Sequence, residues 1–444
     1  MDTNTLVKML LQKFEKKKAR VGIIGMGYVG VPLALRLIDV GYDVVGYDTD
    51  QQKVRLLTAG KRCFSHIDPL VIKKQVASEK LKIYSMPDEL SYCDVVIICV
   101  PTPITESREP DMTCLEEACW DISRNMRRGQ LIVLESTTYP GTTEGLVTNI
   151  LSQNPNDFAL GLDYFLAFSP EREDPGNKDF NVKNTPKVVS GCTEECKKLA
   201  YAFYSTVVDK PVLVSSPATA EMVKILENTY RAVNIALVNE LKVLCHRLGI
   251  DIWEVIEAAK TKPFGFQAFY PGVGWGGHCL ACDPYYLTWR ARQVETPTKF
   301  IVLASEVNWE MSRYVVQRIQ YALNTHKKAL KDSQVLVLGI AYKKNIGDLR
   351  ESPALKVIRD LILLEAKVCY YDPYASRARI DLQENGWVTL ETTELTDECI
   401  KQQDCVVLLT DHDCLDYIRI TKEAKLIVDT RNRFDVKDPR VAQA

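Results

Sequence analysis

The sequence lacks any uninterrupted apolar run of the roughly 18 residues that a membrane-spanning helix needs. It also lacks a signal-peptide pattern, because Lys8 and the lysines between positions 13 and 18 bracket only a short apolar stretch. A charge of one sign is missing as well, since 56 Lys and Arg stand against 58 Asp and Glu, a net charge of −2. We therefore expect a cytoplasmic protein that binds neither membranes nor nucleic acid.

The 14 cysteines form neither a disulfide framework nor a complete metal-binding pattern. Disulfides are not expected without a secretory signal. Several cysteines lie in apolar segments and are interpreted as small buried hydrophobic residues in strands, namely Cys93, Cys99, Cys369 and Cys405. One C-x-x-C occurs, at 279–282, but a structural zinc site needs a second pair at matching spacing. The pairs 192/196 and 114/119 are too loosely spaced, so we predict no metal.

The order of the apolar runs predicts an α/β protein with two Rossmann-like, doubly wound parallel-sheet domains joined by a long central helix. The length of 444 residues suggests two or three domains. Apolar strands separated by helical patterns occur at 21–24, 43–48, 95–100 and 131–135, and again at 334–339, 367–371, 404–409 and 426–428. We predict domains at 1–210, 211–325 and 326–444.

Residues 218–248 have the pattern of one long helix. Apolar residues recur at steps of three and four from Met222 to Leu244, and no glycine or proline interrupts them before Gly249. A helix of this length exposes more apolar surface than one chain covers. It therefore predicts a homodimer or a higher homo-oligomer.

A glycine-rich turn directly after the first strand indicates a dinucleotide-binding loop. It reads GMGYVG and consists of Gly25, Met26, Gly27, Tyr28, Val29 and Gly30. Glycines at these positions allow a tight turn and let backbone N–H groups approach a pyrophosphate. Asp48 closes the second strand, where a carboxylate accepts both ribose hydroxyls and repels a 2′-phosphate. This combination favours NAD over NADP; the alternative is a glycine turn without a ligand.

A second glycine-rich loop, at 272–277, ends two residues before Cys279. It has four glycines in six positions, which pack poorly in a core but let bare backbone approach an anionic ligand. A cysteine at the end of such a loop lies at the ligand, where N–H dipoles or cations favour its thiolate. The local sequence leaves open the alternative of a buried cysteine in a turn.

Several segments resemble the UDP-glucose/GDP-mannose dehydrogenase family. They are AEMVKILENTY at 220–230, GGHCLACDP at 276–284, GIAYK at 339–343 and DLRESP at 348–353. The resemblance runs from about residue 20 to residue 435, in the family's order and spacing. Three further segments look most like the branch that acts on UDP-N-acetylhexosamines, namely ESTTYPGTT at 135–143, SPEREDPGN at 169–177 and the segment through RAVN at 231–234.

The resemblance implies an NAD-dependent enzyme that oxidises the C6 hydroxyl of a UDP-sugar to a carboxylate in two hydride transfers. UDP-N-acetylglucosamine or a related UDP-N-acetylhexosamine is the expected substrate, with UDP-glucose as the alternative. The three predicted domains then bind NAD, form the dimer and active site, and bind the UDP-sugar, in that order along the chain.

The resemblance also implies roles for individual residues. Cys279 is the nucleophile that captures the aldehyde as a thiohemiacetal and then forms a thioester. Lys224 and Asn228, one helical turn apart, stabilise the developing oxyanions. The other expected catalytic residues are Glu171 as acid or base, Thr137 near the nicotinamide and the catalytic water, and Asp283. Asp283 orients water or balances Lys224, with a plain helix N-terminal carboxylate as the alternative.

Further residues are implied in binding. Beside the glycine loop and Asp48, the residues expected at NAD are Lys53, Thr102, Thr137, Glu173 and Arg350. Those expected at the substrate are Glu171, Lys224, Asn228, Tyr270, Gly272, Gly276, Lys343 and Arg431, of which the arginine suits bidentate phosphate contact. Glu173 does not align cleanly with the family glutamate, and Arg350 has the alternative of pairing with Asp348 or Glu351. His278 is interpreted as structural.

The chain departs from the family pattern at Ala281, where proline is usual. The loss of proline frees a backbone N–H and loosens the turn after the nucleophile. Cys282 places a second thiol nearby, and we hypothesise that it forms an inactivating disulfide with Cys279 under oxidation. The alternative is a passive small residue.

Two other function classes stay open on the sequence alone. One is a catalytically silent nucleotide-sugar-binding protein on the same fold, against which the joint presence of Cys279, Lys224, Asn228 and Glu171 argues. The other is a two-electron hydroxyacid dehydrogenase, which needs no thiol and whose alcohol oxidation would survive Cys279→Ser.

Overall fold

The computed structural model describes residues 1–64, 67–105, 107–172 and 179–444, except the side chains of His278, Cys279 and Ala281. These residues divide into two compact units, Met1–Glu227 with Tyr285–Thr296, and Asn228–Pro284 with Pro297–Ala444. The division into three domains at 210/211 and 325/326 stays a prediction. Within the described residues, no helix has both the length and the apolar character to cross a membrane.

The first unit is built on a parallel sheet of six strands. The strands are β1 (Arg20–Ile24), β2 (Asp43–Tyr47), β3 (Leu81–Tyr84), β4 (Val95–Ile98), β5 (Gln130–Leu134) and β6 (Tyr164–Phe168). Their order along the sheet is β3-β2-β1-β4-β5-β6, so the winding reverses between β1 and β4. Ligands of such sheets bind at the carboxyl ends of the strands beside this point, which directs attention to the segments after β1, β4 and β5.

Helices cover both faces of this sheet. Val95 and Ile97 of β4 belong to one apolar cluster, whereas Val96 and Ile98 belong to another, because successive side chains of a strand point to opposite faces. The helices of the unit are α1 (Thr3–Glu15), α2 (Gly30–Val40), α3 (Gln51–Thr58), α4 (Pro69–Ala77), α5 (Thr113–Asn125), α6 (Thr148–Leu151) and α7 (Glu194–Val207). A 3₁₀ turn spans Asp88–Tyr92, a π-helix spans Thr143–Val147, and the short strands β7 (Lys187–Val189) and β8 (Pro211–Leu213) pair in parallel.

The predicted long helix is confirmed as α8 (Pro217–Leu248), which has 32 residues. It is followed by α9 (Ile252–Lys260), α10 (His278–Gln293) and α11 (Lys299–Thr325). The boundary between the units passes through α8 after Glu227 and through α10 after Pro284. Each of these two helices therefore supplies residues to both units.

The second unit contains a parallel sheet of five strands in the order β10-β9-β13-β14-β15. These are β9 (Gln334–Leu338), β10 (Lys367–Tyr371), β13 (Cys405–Leu408), β14 (Ile427–Asp429) and β15 (Val441–Gln443), with an antiparallel pair β11 (Arg377–Asp381) and β12 (Trp387–Glu391). The remaining elements are α12 (Pro353–Leu363), the 3₁₀ turn Gln383–Asn385, α13 (Asp397–Gln402) and α14 (Tyr417–Glu423). Apolar residues of α11 and α12 pack with the strands in one buried cluster.

The predicted fold class is confirmed, with two parallel sheets and a long central helix. Each predicted apolar strand is present within a few residues of its expected bounds. Cys93 and Cys99 are a small correction, because they flank β4 instead of lying within it. Cys93 is buried and Cys99 is partly buried, and burial raises the pKa of each thiol, which fits their interpretation as hydrophobic residues.

Candidate active site

The glycine loop of the first unit joins β1 to α2 in a tight turn. Gly25 has a φ of +97°, and a Cβ there would lie 2.5 Å from the carbonyl oxygen of Cys99. A Cβ on Gly27 would meet no atom within 4 Å, so the backbone of Gly27 borders open space. No described side chain caps the N-terminus of α2 at Val29. Its backbone N–H groups are therefore suited to a pyrophosphate, and the loop fits a dinucleotide.

Asp48 follows β2 and stands beside this loop. Its carboxylate accepts hydrogen bonds from the backbone N–H of Met26 at 3.0 Å and from that of Asp50 at 3.0 Å. The Lys53 ammonium donates to it at 2.7 Å. The structure thus brings together Met26, Asp48 and Lys53, three of the residues predicted at NAD, with the acid at the position of a ribose acceptor.

The segments after β4 and β5 meet through Thr102 and Thr137. The Thr102 hydroxyl donates to the carbonyl of Thr137 at 2.7 Å, and Thr102 is buried. The neighbouring Thr138 hydroxyl is also buried and has no hydrogen-bond partner among the described residues. A buried hydroxyl of this kind requires an acceptor or donor, and one on a bound cofactor would satisfy it.

Three cations hold the segment that contains Glu171, two from neighbouring elements and one from the segment itself. The Lys224 ammonium of α8 donates to the carbonyl of Glu171 at 2.5 Å and lies 3.8 Å from its carboxylate. Lys187 of β7 donates to the carbonyl of Pro170 at 3.2 Å. Arg172 donates to the carbonyl of Pro186 at 2.9 Å. Glu171 and Lys224, both predicted as catalytic, are therefore in contact, and the backbone of Glu171 is fixed.

A buried ion pair lies beneath this segment. The Lys187 ammonium contacts the Glu135 carboxylate at 3.0 Å, and the Tyr204 hydroxyl donates to the other oxygen of Glu135 at 2.5 Å. Glu135, Lys187, Glu171 and Val29 of the glycine loop line a cavity of about 30 Å³, which has the volume for a water molecule. This arrangement can place water beside the Glu171 carboxylate.

In the second unit, the two predicted catalytic residues Asn228 and Asp283 contact each other. The Asn228 side-chain amide donates to the Asp283 carboxylate at 2.5 Å, and Asn228 accepts from Arg231 at 3.0 Å. Both Asn228 and Asp283 are buried. The amide is thereby held in one orientation by Asp283, whose role toward water stays a prediction.

The glycine loop at 272–277 packs tightly against the C-terminal part of the second unit. A Cβ on Gly272 would lie 2.5 Å from the guanidinium of Arg431, and one on Gly276 would lie 2.7 Å from the Cβ of Tyr342. Gly277 has a φ of +83° and leaves similarly little room above the ring of Tyr342. The structure thus brings Gly272, Gly276 and Arg431 together with Tyr342, the residue that precedes Lys343.

Two side chains of α8 hold Gly272 through its backbone. Asn239 accepts from the N–H of Gly272 at 2.9 Å, and the Lys242 ammonium donates to its carbonyl at 2.8 Å. Burial and, to a smaller extent, the Arg431 cation lower the pKa of Lys242 to about 7, whereas Asp429 opposes the change. Burial also lowers the pKa of the Arg431 guanidinium, which donates to the carbonyl of Leu409 at 2.7 Å.

Tyr270 and Arg350 make contacts that differ from their predicted ligand roles. The Tyr270 ring stacks on Trp253 with centroids 5.7 Å apart, and its hydroxyl donates to Glu257 at 2.6 Å. Arg350 donates to both carboxylate oxygens of Asp348, at 2.7 to 3.1 Å. The structural pairing considered for Arg350 is thus present, while its role toward NAD stays a prediction.

Some predicted residues lie outside what the structure describes. Glu173 is outside the described residues, and so is the side chain of Cys279, although the backbone of Cys279 lies in the first turn of α10. Their roles, and the hypothesis of a disulfide with Cys282, stay predictions. Among the described residues, no group of three or more His, Cys, Asp or Glu side chains is placed to hold a metal ion.

Sequence reasoning did not single out several residues that support these sites. They are Glu135, Lys187, Tyr204, Glu221, Asn239 and Lys242. Glu221 accepts from the backbone N–H groups of Gly141 at 2.5 Å and of Thr143 at 2.9 Å, and so ties α8 to the segment that follows Thr137. A polar residue inside an apolar helical stripe, such as Asn239 or Lys242, is the signal that would have found two of them.

Comparison with known families gives matches along most of the chain. Residues 19–208 match the NAD binding domain of the UDP-glucose/GDP-mannose dehydrogenase family. Residues 218–310 match its central domain, and residues 336–436 match its UDP binding domain. The first match confirms the prediction of NAD as the cofactor.

Individual relatives cover nearly the whole chain. A UDP-N-acetyl-D-mannosamine dehydrogenase of Pyrococcus horikoshii is 33% identical over 95% of this chain and 97% of its own. A UDP-N-acetyl-D-glucosamine 6-dehydrogenase of Pseudomonas aeruginosa is 36% identical over 81% of this chain and 84% of its own.

Solved structures give the same relationship. A UDP-D-ManNAc dehydrogenase from Pyrococcus horikoshii superposes with a TM-score of 0.84 at 32% identity, covering 96% of this chain and 98% of its own. A UDP-glucose dehydrogenase from Pyrobaculum islandicum superposes with a TM-score of 0.81 at 28% identity, covering 96% of each chain. The chain is an NAD-dependent dehydrogenase that belongs to the UDP-glucose/GDP-mannose dehydrogenase family.

Proposed function

We propose that this enzyme oxidises the C6 hydroxyl of UDP-N-acetylglucosamine, or of a related UDP-N-acetylhexosamine, to the uronic acid. The substrate class is supported by the activities for which the full-length relatives are named, among them a UDP-N-acetyl-D-mannosamine dehydrogenase and a UDP-N-acetyl-D-glucosamine 6-dehydrogenase. A UDP-sugar is also the ligand class expected of a chain that matches a UDP binding domain. UDP-glucose is the second candidate, because a UDP-glucose dehydrogenase is among the structural relatives.

The single observation that best supports this reaction is the set of buried contacts made by Lys224 and Asn228, which lie four residues apart on α8. Lys224 contacts Glu171, and Asn228 contacts Asp283. An ammonium and an amide held in this way can stabilise negative charge on oxygen without reorganising, which contributes several kcal/mol to lowering a barrier of this kind. Such groups suit a reaction that passes through an alkoxide and a tetrahedral oxyanion.

In the proposed reaction, Glu171 is the acid or base toward the substrate hydroxyl and water. Lys224 and Asn228 stabilise the negative charge that develops on the oxygen of the alkoxide and of the tetrahedral adduct. Bound NAD⁺ supplies the hydride acceptor in both oxidations. The Cys279 thiolate adds to the C6 aldehyde, so that a C–S bond forms and the carbonyl oxygen becomes an alkoxide. Loss of hydride from that carbon leaves a thioester, and water then replaces sulfur to give the carboxylate and the free thiol.

The remaining binding roles follow the sequence predictions. Residues 25–30, Asp48, Lys53, Thr102, Thr137, Glu173 and Arg350 are proposed to bind NAD, and Tyr270, Gly272, Gly276, Lys343 and Arg431 are proposed to bind the UDP-sugar. Gly272 and Arg431 approach each other closely in the second unit, which supports assigning them to one ligand. The cytoplasmic location stays a prediction.

Substitution of the nucleophile tests the reaction directly. We expect the wild-type enzyme to form two NADH per molecule of UDP-N-acetylglucosamine, and Cys279→Ser to lose acid formation by roughly a thousandfold or more. Cys282→Ser is the matched control, because it removes the other thiol of the same motif and should retain activity. Absence of NADH formation from every UDP-sugar in a panel would favour a silent binding protein, and undiminished acid formation by Cys279→Ser would refute the thiol mechanism.

We also propose that the enzyme is a homodimer that buries one face of α8. Four apolar side chains on the part of α8 in the second unit are between 48% and 62% exposed, namely Tyr230, Leu237, Leu244 and Leu248. The steps of seven and four residues between them place them on one helix face. We expect light scattering to find a dimer, and Leu237→Glu with Leu244→Glu to give monomers. Ile418→Glu, which changes another exposed apolar residue, on α14, should leave the dimer intact.

A further inference from the structure

A buried histidine connects the two ends of the loop that contains Lys343. His412 follows β13 and has no exposed side-chain surface, and the same is true of Asp372 after β10. The His412 Nε2 lies 3.1 Å from a carboxylate oxygen of Asp372. The His412 Nδ1 lies 2.9 Å from the backbone nitrogen of Asn345. No role toward ligands follows from the sequence for this histidine.

The chemistry of these contacts determines the tautomer of His412. The backbone N–H of Asn345 can only donate, so Nδ1 must be the acceptor and cannot hold a proton. The ring proton then lies on Nε2 and is donated to Asp372. His412 is therefore a neutral imidazole that uses both nitrogens at once, which fixes the orientation of the ring.

Asp372 holds the beginning of the same loop. One carboxylate oxygen accepts from the backbone N–H groups of Ile340 at 2.8 Å and Ala341 at 3.2 Å, in addition to His412. Burial alone raises the pKa of Asp372, but the hydrogen bond from His412 and the backbone N–H donors outweigh it, so the pKa lies below its ordinary value. The carboxylate stays ionised and the loop stays attached to it.

The loop between these anchors contains Tyr342 and Lys343. Tyr342 packs against Gly276, one of the residues proposed to bind the UDP-sugar, so a displacement of the loop also disturbs a second part of the proposed substrate site. His412 acts through backbone groups at both ends of the loop, at Ile340 and Ala341 by way of Asp372 and at Asn345 directly. Removal of the imidazole would release one end and weaken the other.

We propose that His412 is a positioning residue that holds the 339–345 loop, and with it Lys343, in the conformation that receives the diphosphate of the nucleotide-sugar. This inference rests on the proposed function, which assigns Lys343 to that ligand. It predicts an effect on the affinity for UDP-containing ligands that is separable from catalysis, because His412 touches neither of the buried contacts made by Lys224 and Asn228.

Three substitutions of His412 test the proposal in the full-length enzyme. His412→Phe keeps a ring and removes both hydrogen bonds, whereas His412→Gln keeps a donor near Nε2 and His412→Asn keeps an acceptor near Nδ1. We expect His412→Phe to raise the KM for the UDP-sugar and the Kd for UDP, measured by calorimetry, by roughly ten- to hundredfold. The kcat and the KM for NAD should stay within about threefold of the wild-type values.

The conservative variants separate positioning from a purely structural role. His412→Gln and His412→Asn should each recover part of the affinity for UDP, since each keeps one of the two hydrogen bonds. His326→Gln is the control, because it changes an exposed histidine at the end of α11 and should leave KM, Kd and kcat unchanged. A loss of melting temperature with unchanged KM and Kd in all three His412 variants would overturn the proposal.

Lys343→Met makes the two possible failures distinguishable. If Lys343→Met weakens UDP binding but the His412 variants do not, the positioning role is wrong and the proposed function stands. If Lys343→Met leaves UDP binding unchanged, the assignment of Lys343 and this inference both fail. If His412 affects UDP binding only by positioning Lys343, the two effects are coupled. The variant that combines His412→Phe with Lys343→Met should then bind UDP no more weakly than the poorer of the two single variants.

Discussion

The two units share one local arrangement of a glycine turn and an aspartate, but the aspartate has different partners in each. In each, a strand is followed by a glycine turn and then a helix. An aspartate at the end of the neighbouring strand accepts from the backbone of that turn, from one N–H group in the first unit and from two in the second. In the first unit this is Asp48, whose third partner is the partly exposed ammonium of Lys53. In the second unit it is Asp372, whose other partners are the backbone N–H groups of Tyr374 and Ala375 and the buried ring of His412.

The different partners of Asp48 and Asp372 show how the same arrangement can leave an aspartate available to a ligand in one unit and make it an internal anchor in the other. A lysine side chain can move aside at little energetic cost and leave the Asp48 carboxylate to a ribose. The Asp372 carboxylate is enclosed by five protein donors and has no exposed surface. Displacing any of these donors would leave a buried polar group without a partner, so Asp372 serves the loop and not a ligand.

Substitution of a glycine in each turn should give the largest contrast. Gly339 has a φ of +74° and a Cβ there would lie 2.2 Å from the Thr410 carbonyl oxygen, so Gly339→Ala should destabilise the protein by more than about 3 kcal/mol. A Cβ on Gly27 would meet no atom within 4 Å, so Gly27→Ala should fold normally, but its methyl group would occupy the space beside the backbone that is proposed to bind NAD. We expect a rise in the KM for NAD of about tenfold or more.

Urea unfolding and NAD kinetics measure the two effects on the same preparations. Equal loss of stability in both glycine variants would contradict the distinction between an open and a filled turn. An unchanged KM for NAD in Gly27→Ala would contradict the position of the cofactor at this loop.

Neutralising the two aspartates should give the next largest contrast. Asp372→Asn places an amide N–H₂ among backbone donors and should cost about 2–4 kcal/mol of unfolding free energy. Asp48→Asn loses an ion pair with a partly exposed lysine, so its stability should change by less than about 1 kcal/mol, while the KM for NAD rises about tenfold. Comparable destabilisation by both variants in urea titrations would show that Asp48 anchors its loop as firmly as Asp372 does.

A smaller, pH-dependent contrast concerns the cations that support the loops. Lys53 is partly exposed, whereas Lys242, which holds Gly272, is buried beside Arg431, Asp429, Arg318 and the ring of Tyr314. The pKa of Lys242 is lowered from 10.5 to about 7, so between these values the unfolded chain binds the proton that the folded chain lacks. Stability contributed by this group must therefore rise with pH above 7.

Lys242→Met removes this dependence. The difference in unfolding free energy between the wild type and Lys242→Met should grow in favour of the wild type by on the order of 2 kcal/mol from pH 7 to pH 9. Lys53→Met is the control and should show no such trend. A difference that stays constant over this pH range would mean that Lys242 keeps its charge when buried.

Much of the fold could be predicted from apolar periodicity, but some elements left only a weak pattern. The helix α8 and the strands β1, β2, β4 and β5 were predicted close to their bounds because each is a continuous apolar run or stripe. The 27-residue helix α11 and the hairpin of β11 and β12 were not predicted. In β11, buried and exposed residues alternate over only five positions with charged residues outward, which is too short a pattern to distinguish from a loop.

The candidate site shows a similar division. The glycine loops and Asp48 were found by motif and spacing, whereas Lys224, Asn228 and Asp283 were found by the resemblance to the family. Their supporting residues were not. Lys187 looks like an ordinary member of a strand until its partners are known, and Asn239 and Lys242 are marked only as polar positions in an apolar helical stripe. The contact of Arg350 with Asp348 needed the structure as well, since the sequence offered two carboxylates as partners.

Local sequence was thus sufficient for the fold class and the cofactor, because helical periodicity, buried strands and glycine turns all arise within short stretches of chain. The family followed from the resemblance of several short motifs. Tertiary structure alone decided which groups complete each site. Lys224 meets the Glu171 carbonyl across 53 positions, Asn228 meets Asp283 across 55, and His412 meets Asp372 across 40. Such pairings depend on how the chain packs, and a hydrogen bond between distant residues leaves no trace in the spacing of either partner.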